Sequence, residues 1–234
     1  MPCGRKSNDA GIAWTPAVTS SATTGITDMR ASCLDGVVST TDAKSMSPTV
    51  HDEPPDFLRS GRPSLDLAWT VRFRNVWPTE TLVDTEALIR WLRATYPGVT
   101  FNPRQVTDEF LAELTHLREA IYALVRASIA DEPWRRRDVS LVNRHADGPR
   151  FRHRLGGNRA VRITVTDAGQ FLAELAVDGI AVLSADPSRL KLCEGPDCAL
   201  PFLDESRGAS RRWCTAQRCG NRVNTKAYRR RLKA

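Results

Sequence analysis

Four cysteines carry the clearest chemistry in the sequence: Cys193, Cys198, Cys214 and Cys219. They form two Cys-x4-Cys pairs separated by fifteen residues. Two pairs on separate turns can bring four soft sulfurs together, and a tetrahedral sulfur shell suits Zn2+. A closed shell of four thiolates leaves no position for water, so such a site holds structure and does not hydrolyse. Two disulfides, unpaired core cysteines and an iron–sulfur cluster are the other chemistries open to these residues, although nothing around them supplies a redox context. Cys3 and Cys33 lie in polar sequence and are read as incidental. The first residues do not read as a signal peptide. No run of about 18 apolar residues suggests a membrane span. A reducing compartment is therefore expected, where clustered cysteines favour metal over disulfides.

The charge beside these cysteines has one sign. Residues 189–234 hold 12 Lys or Arg against 4 Asp or Glu, and from Arg207 onward ten basic residues meet no acidic one. The whole chain carries +7 over 234 residues, so this end holds all of the excess. The second cysteine pair is expected to lead into a terminal helix displaying Arg222, Lys226, Arg229, Arg230 and Lys233. Arg222, Lys226 and Arg230 share a face at i, i+4 and i+8, where like charges repel. A polyanion relieves that repulsion, and phosphate contacts give affinity without reading sequence. Asn221 and Arg222 have side chains able to bond base edges, and Asn221 can equally brace the metal turn. The nucleic-acid-binding set expected is Arg211, Arg212, Arg218, Asn221, Arg222, Lys226, Arg229, Arg230 and Lys233. Gly195 and Pro196 shape the first cysteine turn, while Phe202 and Trp213 pack around the site.

The elements that must position this module are mainly helical. Residues 1–56 are rich in Ser and Thr, show no sustained apolar period, and are expected to be disordered. Translation starting at Met29 or Met46 is an alternative reading of that segment. From Ser64 the run SLDLAWTVRFRN alternates Leu65, Leu67, Trp69, Val71 and Phe73 as a strand would, yet Leu65, Ala68, Trp69 and Arg72 also share a helical face. A helix is expected over 85–95, capped by Asp84, with Leu88, Ile89 and Leu92 on one face and Pro97-Gly98 beyond it. A longer helix is read from Asn102, with Pro103 at its first position and Gln105 completing a capping box. Its stripe runs through Val106, Phe110, Leu114, Leu117, Ile121, Leu124 and Ser128. A short helix follows at 134–144. Two alternating runs around Gly156-Gly157-Asn158 predict a β-hairpin between Arg150 and Val165. Asp167 and Gln170 frame a last helix, with Phe171, Leu172, Leu175, Val177, Ile180 and Leu183 as its apolar surface.

These residues resemble a known family. Phe202-Leu203-Asp204-Glu205-Ser206-Arg207, Arg211-Arg212-Trp213-Cys214 and Cys219-Gly220-Asn221-Arg222 are similar to the CGNR zinc finger, with matching cysteine spacings. Leu65-Asp66-Leu67-Ala68-Trp69-Thr70 and Leu117-Arg118-Glu119-Ala120 resemble the mainly helical domain that usually precedes that finger, described as a stress-induced transcription regulator. Trp69 stands where the family usually has Asn. Asn224 occupies a position usually basic, and Thr215-Ala216 replaces the commoner Ser-Met. The resemblance covers residues 60–234. It implies a bacterial, cytoplasmic protein with Zn2+ on Cys193, Cys198, Cys214 and Cys219, and a finger that binds DNA.

The architecture expected is mainly α with a small β-hairpin. A disordered extension (1–56) precedes a helical regulatory or interaction domain (60–188). A four-cysteine zinc module ending in a basic helix (189–234) closes the chain. The leading function is a DNA-binding transcriptional regulator whose partner is double-stranded DNA. The alternative is a non-catalytic scaffold binding RNA or an acidic protein. An enzyme is not expected. Asp84, Glu86, Asp108, Glu109, Glu113, His116 and His145 form no organised motif, and the Gly156-Gly157-Asn158 turn lacks the ending of a phosphate-binding loop.

Overall fold

A proline decides how the folded part starts. The computed structural model describes residues 57–157 and 159–225; the expectation for 1–56 therefore lies outside it. Pro63 opens helix α1 (Pro63–Ala68), where its fixed φ suits the first turn. Arg62 offers that helix no side-chain cap. Asp178, far along the chain, accepts from the Ser64 amide at 2.9 Å and its hydroxyl at 2.6 Å, and pairs with Arg62 at 2.8 Å. Every residue from Ser64 to Ala68 is buried. A helix surrounded on all sides has no polar face, so the alternation of Leu65, Leu67 and Trp69 carried no information about period. Extended backbone begins only at β1 (Val71–Arg72), which pairs with β2 (Thr79–Glu80).

Asp66 is the carboxylate that α1 buries, at 4% exposure. It accepts from the amide of Ser60 and from its hydroxyl at 2.6 Å. Burial raises it from 3.8 to about 6. The folded state thus binds this proton more tightly than the unfolded chain does. The contribution of Asp66 to stability is greatest below about pH 4 and falls as pH rises through 6, by on the order of 3 kcal/mol. Glu119 and Glu174, whose carboxyls are lowered by Arg partners, act in the opposite direction. The test is therefore a difference. Asp66→Asn is expected to remove this term, so urea unfolding at pH 4.5 and 7.5 shows the variant gaining on the wild type at the higher pH. Parallel pH profiles for the two proteins overturn the assignment.

Helix α2 (Thr85–Thr95) begins as expected, with Asp84 accepting from the Ala87 amide at 2.7 Å. Its buried face is Ala87, Leu88, Trp91 and Leu92, and Ile89 is only half-buried. The long helix α3 (Asp108–Ile129) starts later than the Asn102 signal indicates. Asn102, Pro103 and Gln105 make a separate 3-10 turn, and Thr107 caps α3 through the Phe110 amide. Gln105 cannot close a capping box because its amide donates instead to the Thr166 carbonyl. The stripe from Phe110 to Leu124 is buried as expected. Helix α4 (Arg136–Ala146) also begins later than read: Trp134 stays outside it, with its indole on the Ser128 hydroxyl.

The hairpin forms from β4 (Arg152–Leu155) and β5 (Val161–Thr164). A short β3 (Val99–Thr100), not anticipated, adds to β5 in parallel and makes a three-stranded sheet in the order β3-β5-β4. In helix α5 (Gly169–Leu183), Asp167 accepts from Gly169 while Gln170 reaches back to the Asp167 amide, a reciprocal cap. Its buried face runs Phe171, Leu172, Leu175, Ala176, Gly179 and Val182; Ile180, expected on its apolar surface, is exposed. Gly179 lets α3 approach closely, since a Cβ there would sit 3.1 Å from Ile121.

One buried cation ties the two helical-domain motifs together. Arg118 on α3 is 5% exposed. It donates to the Thr70 hydroxyl, pairs with Glu80 at 2.7 Å and with Glu119 at 2.8 Å. Glu119 in turn takes both arms of Arg74, which lies 4.0 Å over the Tyr122 ring. The LDLAWT and LREA segments therefore meet in one network.

Candidate metal centre

A short hairpin presents the first cysteine pair. Strand β6 (Leu190–Leu192) pairs with β7 (Pro201–Leu203), and Cys193 leaves the end of β6 with its amide on the Leu200 carbonyl. The turn between them needs left-handed backbone at Asp197 and Ala199. Gly195 is required by space: a Cβ there would lie 3.0 Å from the Cys219 sulfur and 3.3 Å from that of Cys193. Its amide instead points at the Cys193 sulfur at 3.4 Å.

The second pair is set by a π-helical turn (Ala216–Gly220) that Thr215 caps through the Arg218 amide. Cys214 precedes that turn and Cys219 lies within it. Helical backbone continues over 221–225. The Glu194 amide on the Arg212 carbonyl joins the two halves.

All four sulfurs lie within 4.8 Å of one another, and all four cysteines are buried. The Cys198–Cys214 and Cys214–Cys219 sulfur pairs are 3.7 Å apart. A tetrahedron with Zn–S bonds of about 2.3 Å has edges of about 3.8 Å. The donor set and spacing thus fit Zn2+ well. Without a cation three of the thiols compete: neighbouring S–H groups hold the Cys193 thiol down, while the Cys193 sulfur pushes those of Cys198 and Cys214 up. A dication removes the competition by letting every thiol ionise. Arg72, Arg218 and Arg222 line a cleft of about 40 Å³ against Cys198, Cys214 and Cys219. Their positive charge offsets the net negative charge of a metal with four thiolates.

A fully buried acid braces the module from behind. Asp204 takes Lys191 at 2.8 Å, the Ser206 hydroxyl at 2.5 Å and the Arg211 amide at 2.8 Å. Lys191 and Ser206 hold its carboxyl well below the usual carboxylate range. Lys191 also donates to the Ala209 carbonyl, and Arg189 to those of Asp204 and Ser206. These bracing roles were not anticipated. The available signal was an Asp directly after the apolar Phe202-Leu203 strand, where a carboxylate that turns inward must be paired.

The basic residues singled out from sequence divide into groups. Arg211 is half-buried and turned inward, donating to the Trp213 and Cys214 carbonyls over the Phe202 ring. Arg212 is exposed but pairs with Glu194 at 2.6 Å and lies 5.0 Å over Trp213. Arg218 is half-buried, whereas Asn221 and Arg222 are exposed on the helical turn after Cys219. Among the described residues the Asn221 side chain has no hydrogen-bond partner. Lys226, Arg229, Arg230 and Lys233 lie outside the described residues. The polar residues weighed for catalysis are dispersed: Asp84 caps α2, Glu86 pairs with Arg90, and Glu113 stands 3.8 Å from His145.

The module is not an isolated appendage. Its cysteines share a core with Leu200, Phe202, Ala68 and Trp69, against which Leu58, Tyr122 and Trp213 pack. Trp69 leaves the end of α1, and its indole donates to the Pro201 carbonyl at 2.6 Å. Among the described residues no helix is long and apolar enough to cross a membrane.

Residues 189–232 match the family model described as CGNR zinc finger. Residues 61–186 match the ABATE model, described as "Putative stress-induced transcription regulator". No curated protein matches the chain.

Proposed function

The chain belongs to the ABATE family and ends in a CGNR zinc finger, a zinc-binding regulatory combination, and from that premise we propose that it is a DNA-binding transcriptional regulator. Cys193, Cys198, Cys214 and Cys219 hold one structural Zn2+. The observation that carries the proposal is the exposure of Asn221 and Arg222 on the first helical turn after the fourth sulfur. That turn lies within a stretch of sequence, Arg207 to Ala234, with ten basic residues and no acid. The closed sulfur shell sets where the helix begins and how it is aimed. Arg218, Lys226, Arg229, Arg230 and Lys233 contact phosphates, and Asn221 and Arg222 meet base edges. Arg211 is committed to the finger's own carbonyls, and Arg212 is shared with Glu194. Residues 60–188 form the regulatory or interaction domain, residues 189–234 the finger, and the protein acts in the cytoplasm.

The zinc-loaded full chain is expected to bind duplex DNA with an affinity that falls steeply with salt, by roughly 0.9 in the log–log slope per phosphate contact. Arg230→Ala makes that slope shallower. Arg222→Ala costs about 1–3 kcal/mol of discrimination between selected and random duplexes. Fluorescence anisotropy over a salt series measures both effects. Circular dichroism and zinc content of each variant are needed as well, because Arg222 also lines the cleft beside the sulfurs. A folded, zinc-loaded wild type that ignores duplex DNA at low salt overturns the proposal. Capture of RNA or an acidic protein in its place supports a scaffold.

A further inference from the structure

The β4–β5 hairpin carries a charge pattern that neither the finger nor the core explains. Its register sets Arg152 opposite Thr164 and Arg154 opposite Arg162. Directly opposed residues, and residues two apart, share a face. Arg152, Arg154 and Arg162 therefore project together. His153, Leu155, Val161 and Ile163 take the other face, where Ile163 packs on the core. The three arginines are exposed, as is Arg159 in the connecting turn. No acidic residue occurs from Arg150 to Thr164. Among the described residues, Arg150 alone of these arginines has an ion-pair partner, Glu174 at 2.5 Å.

Like charges placed directly opposite destabilise a strand pair. Here burial does not offset that cost, because all of β4 is exposed. β4 is also an edge strand of its sheet. The arrangement is one that a bound polyanion stabilises.

We propose that this hairpin is a second contact to duplex DNA, separate from the finger, with Arg152, Arg154 and Arg162 gripping phosphates. The proposal rests on the reading of the chain as a DNA-binding regulator and adds a second foothold to it. Two features favour a duplex. The cations are all arginine, whose planar fork binds phosphate through two parallel hydrogen bonds. A two-stranded ribbon is one of the shapes that the major groove, about 12 Å wide, admits. Two footholds on one chain raise affinity by effective concentration, with no stronger single contact required.

The test uses the zinc-loaded full chain and a labelled duplex of mixed sequence, read by anisotropy across a salt series. Combining Arg152→Gln, Arg154→Gln and Arg162→Gln is expected to weaken binding at least about tenfold at low salt and to make the log–log slope shallower by about 2.7, three contacts at about 0.9 each. The same charge change made elsewhere, with Arg93→Gln, Arg135→Gln and Arg136→Gln, is expected to leave the slope nearly intact. Replacing the three hairpin arginines with lysine keeps most of the slope. It also guards against a folding artefact, together with circular dichroism of every variant. A wild type that binds while the glutamine variant keeps its slope overturns the hairpin proposal and leaves the regulator reading standing. A wild type without duplex binding overturns both. Hairpin-dependent binding that is tighter to single-stranded RNA, or to vesicles rich in phosphatidylglycerol, than to duplex DNA overturns the choice of partner.

Discussion

Removing the metal is expected to loosen the C-terminal end of helix α1 as well as the finger. The four cysteines share their core with Ala68 and Trp69, so the segment that precedes β1 loses its packing partner when the sulfurs separate. Metal binding is worth an apparent 10–16 kcal/mol, roughly, in isolated finger peptides. That is comparable to the whole stability of a typical domain, about 5–15 kcal/mol. The purified, reduced chain should carry one zinc. Chelation, or Cys198→Ser, should then strip amide protection from residues 190–225 and also from 68–72, whereas Leu65 and Leu67, in the larger core, keep theirs. Helices α2 and α5, whose buried residues belong to the larger core, keep theirs. Elemental analysis, titration of released thiols and hydrogen exchange measure this directly. A metal-free chain with full protection around Trp69, or two disulfides among the four cysteines, refutes it.

Trp69→Ala should be among the most damaging single substitutions in the described region. The side chain is 2% exposed, packs against the thiol cluster and satisfies the Pro201 carbonyl. Truncating a buried tryptophan costs about 3–5 kcal/mol, and the carbonyl loses its donor as well. Trp69→Phe retains most of the packing and loses the hydrogen bond, so it should fall between wild type and Trp69→Ala. Urea unfolding gives the stability loss. Competition with a chelator gives the second readout: zinc affinity should fall with stability, because the metal binds the folded module. Unchanged zinc affinity in Trp69→Ala would mean that the finger folds without help from the helical body.

Where a local signal stood alone, the sequence was legible. Asp84 before α2 is one case, and the stripe from Phe110 to Leu124 is another. The cysteine spacing pointed to the thiol cluster because a ligand set depends on few positions. Failures came where two signals competed or where the partner was remote. Asn102 and Thr107 both offer caps within five residues, and the contact of Gln105 with Thr166 decides between them. The cap of α1 comes from Asp178, which no local pattern can announce. β3 has two residues, too few to show alternation. Arg211 looked like a phosphate ligand because composition registers charge and not direction, and the Trp213 and Cys214 carbonyls turn it inward.

The bond from Trp69 to Pro201 also has a consequence in time. Its two ends lie 132 residues apart. At about 5–20 residues per second, a ribosome takes roughly 7–26 s to make the intervening chain. Throughout that interval α1 is in existence without the strand and sulfurs that complete its surroundings. Its large indole must wait exposed or in a provisional contact. Folding of this region is thus expected to stay open until synthesis has passed Cys219 and to close when metal binds. Zinc supply would then set how long a newborn chain remains vulnerable to proteases and aggregation.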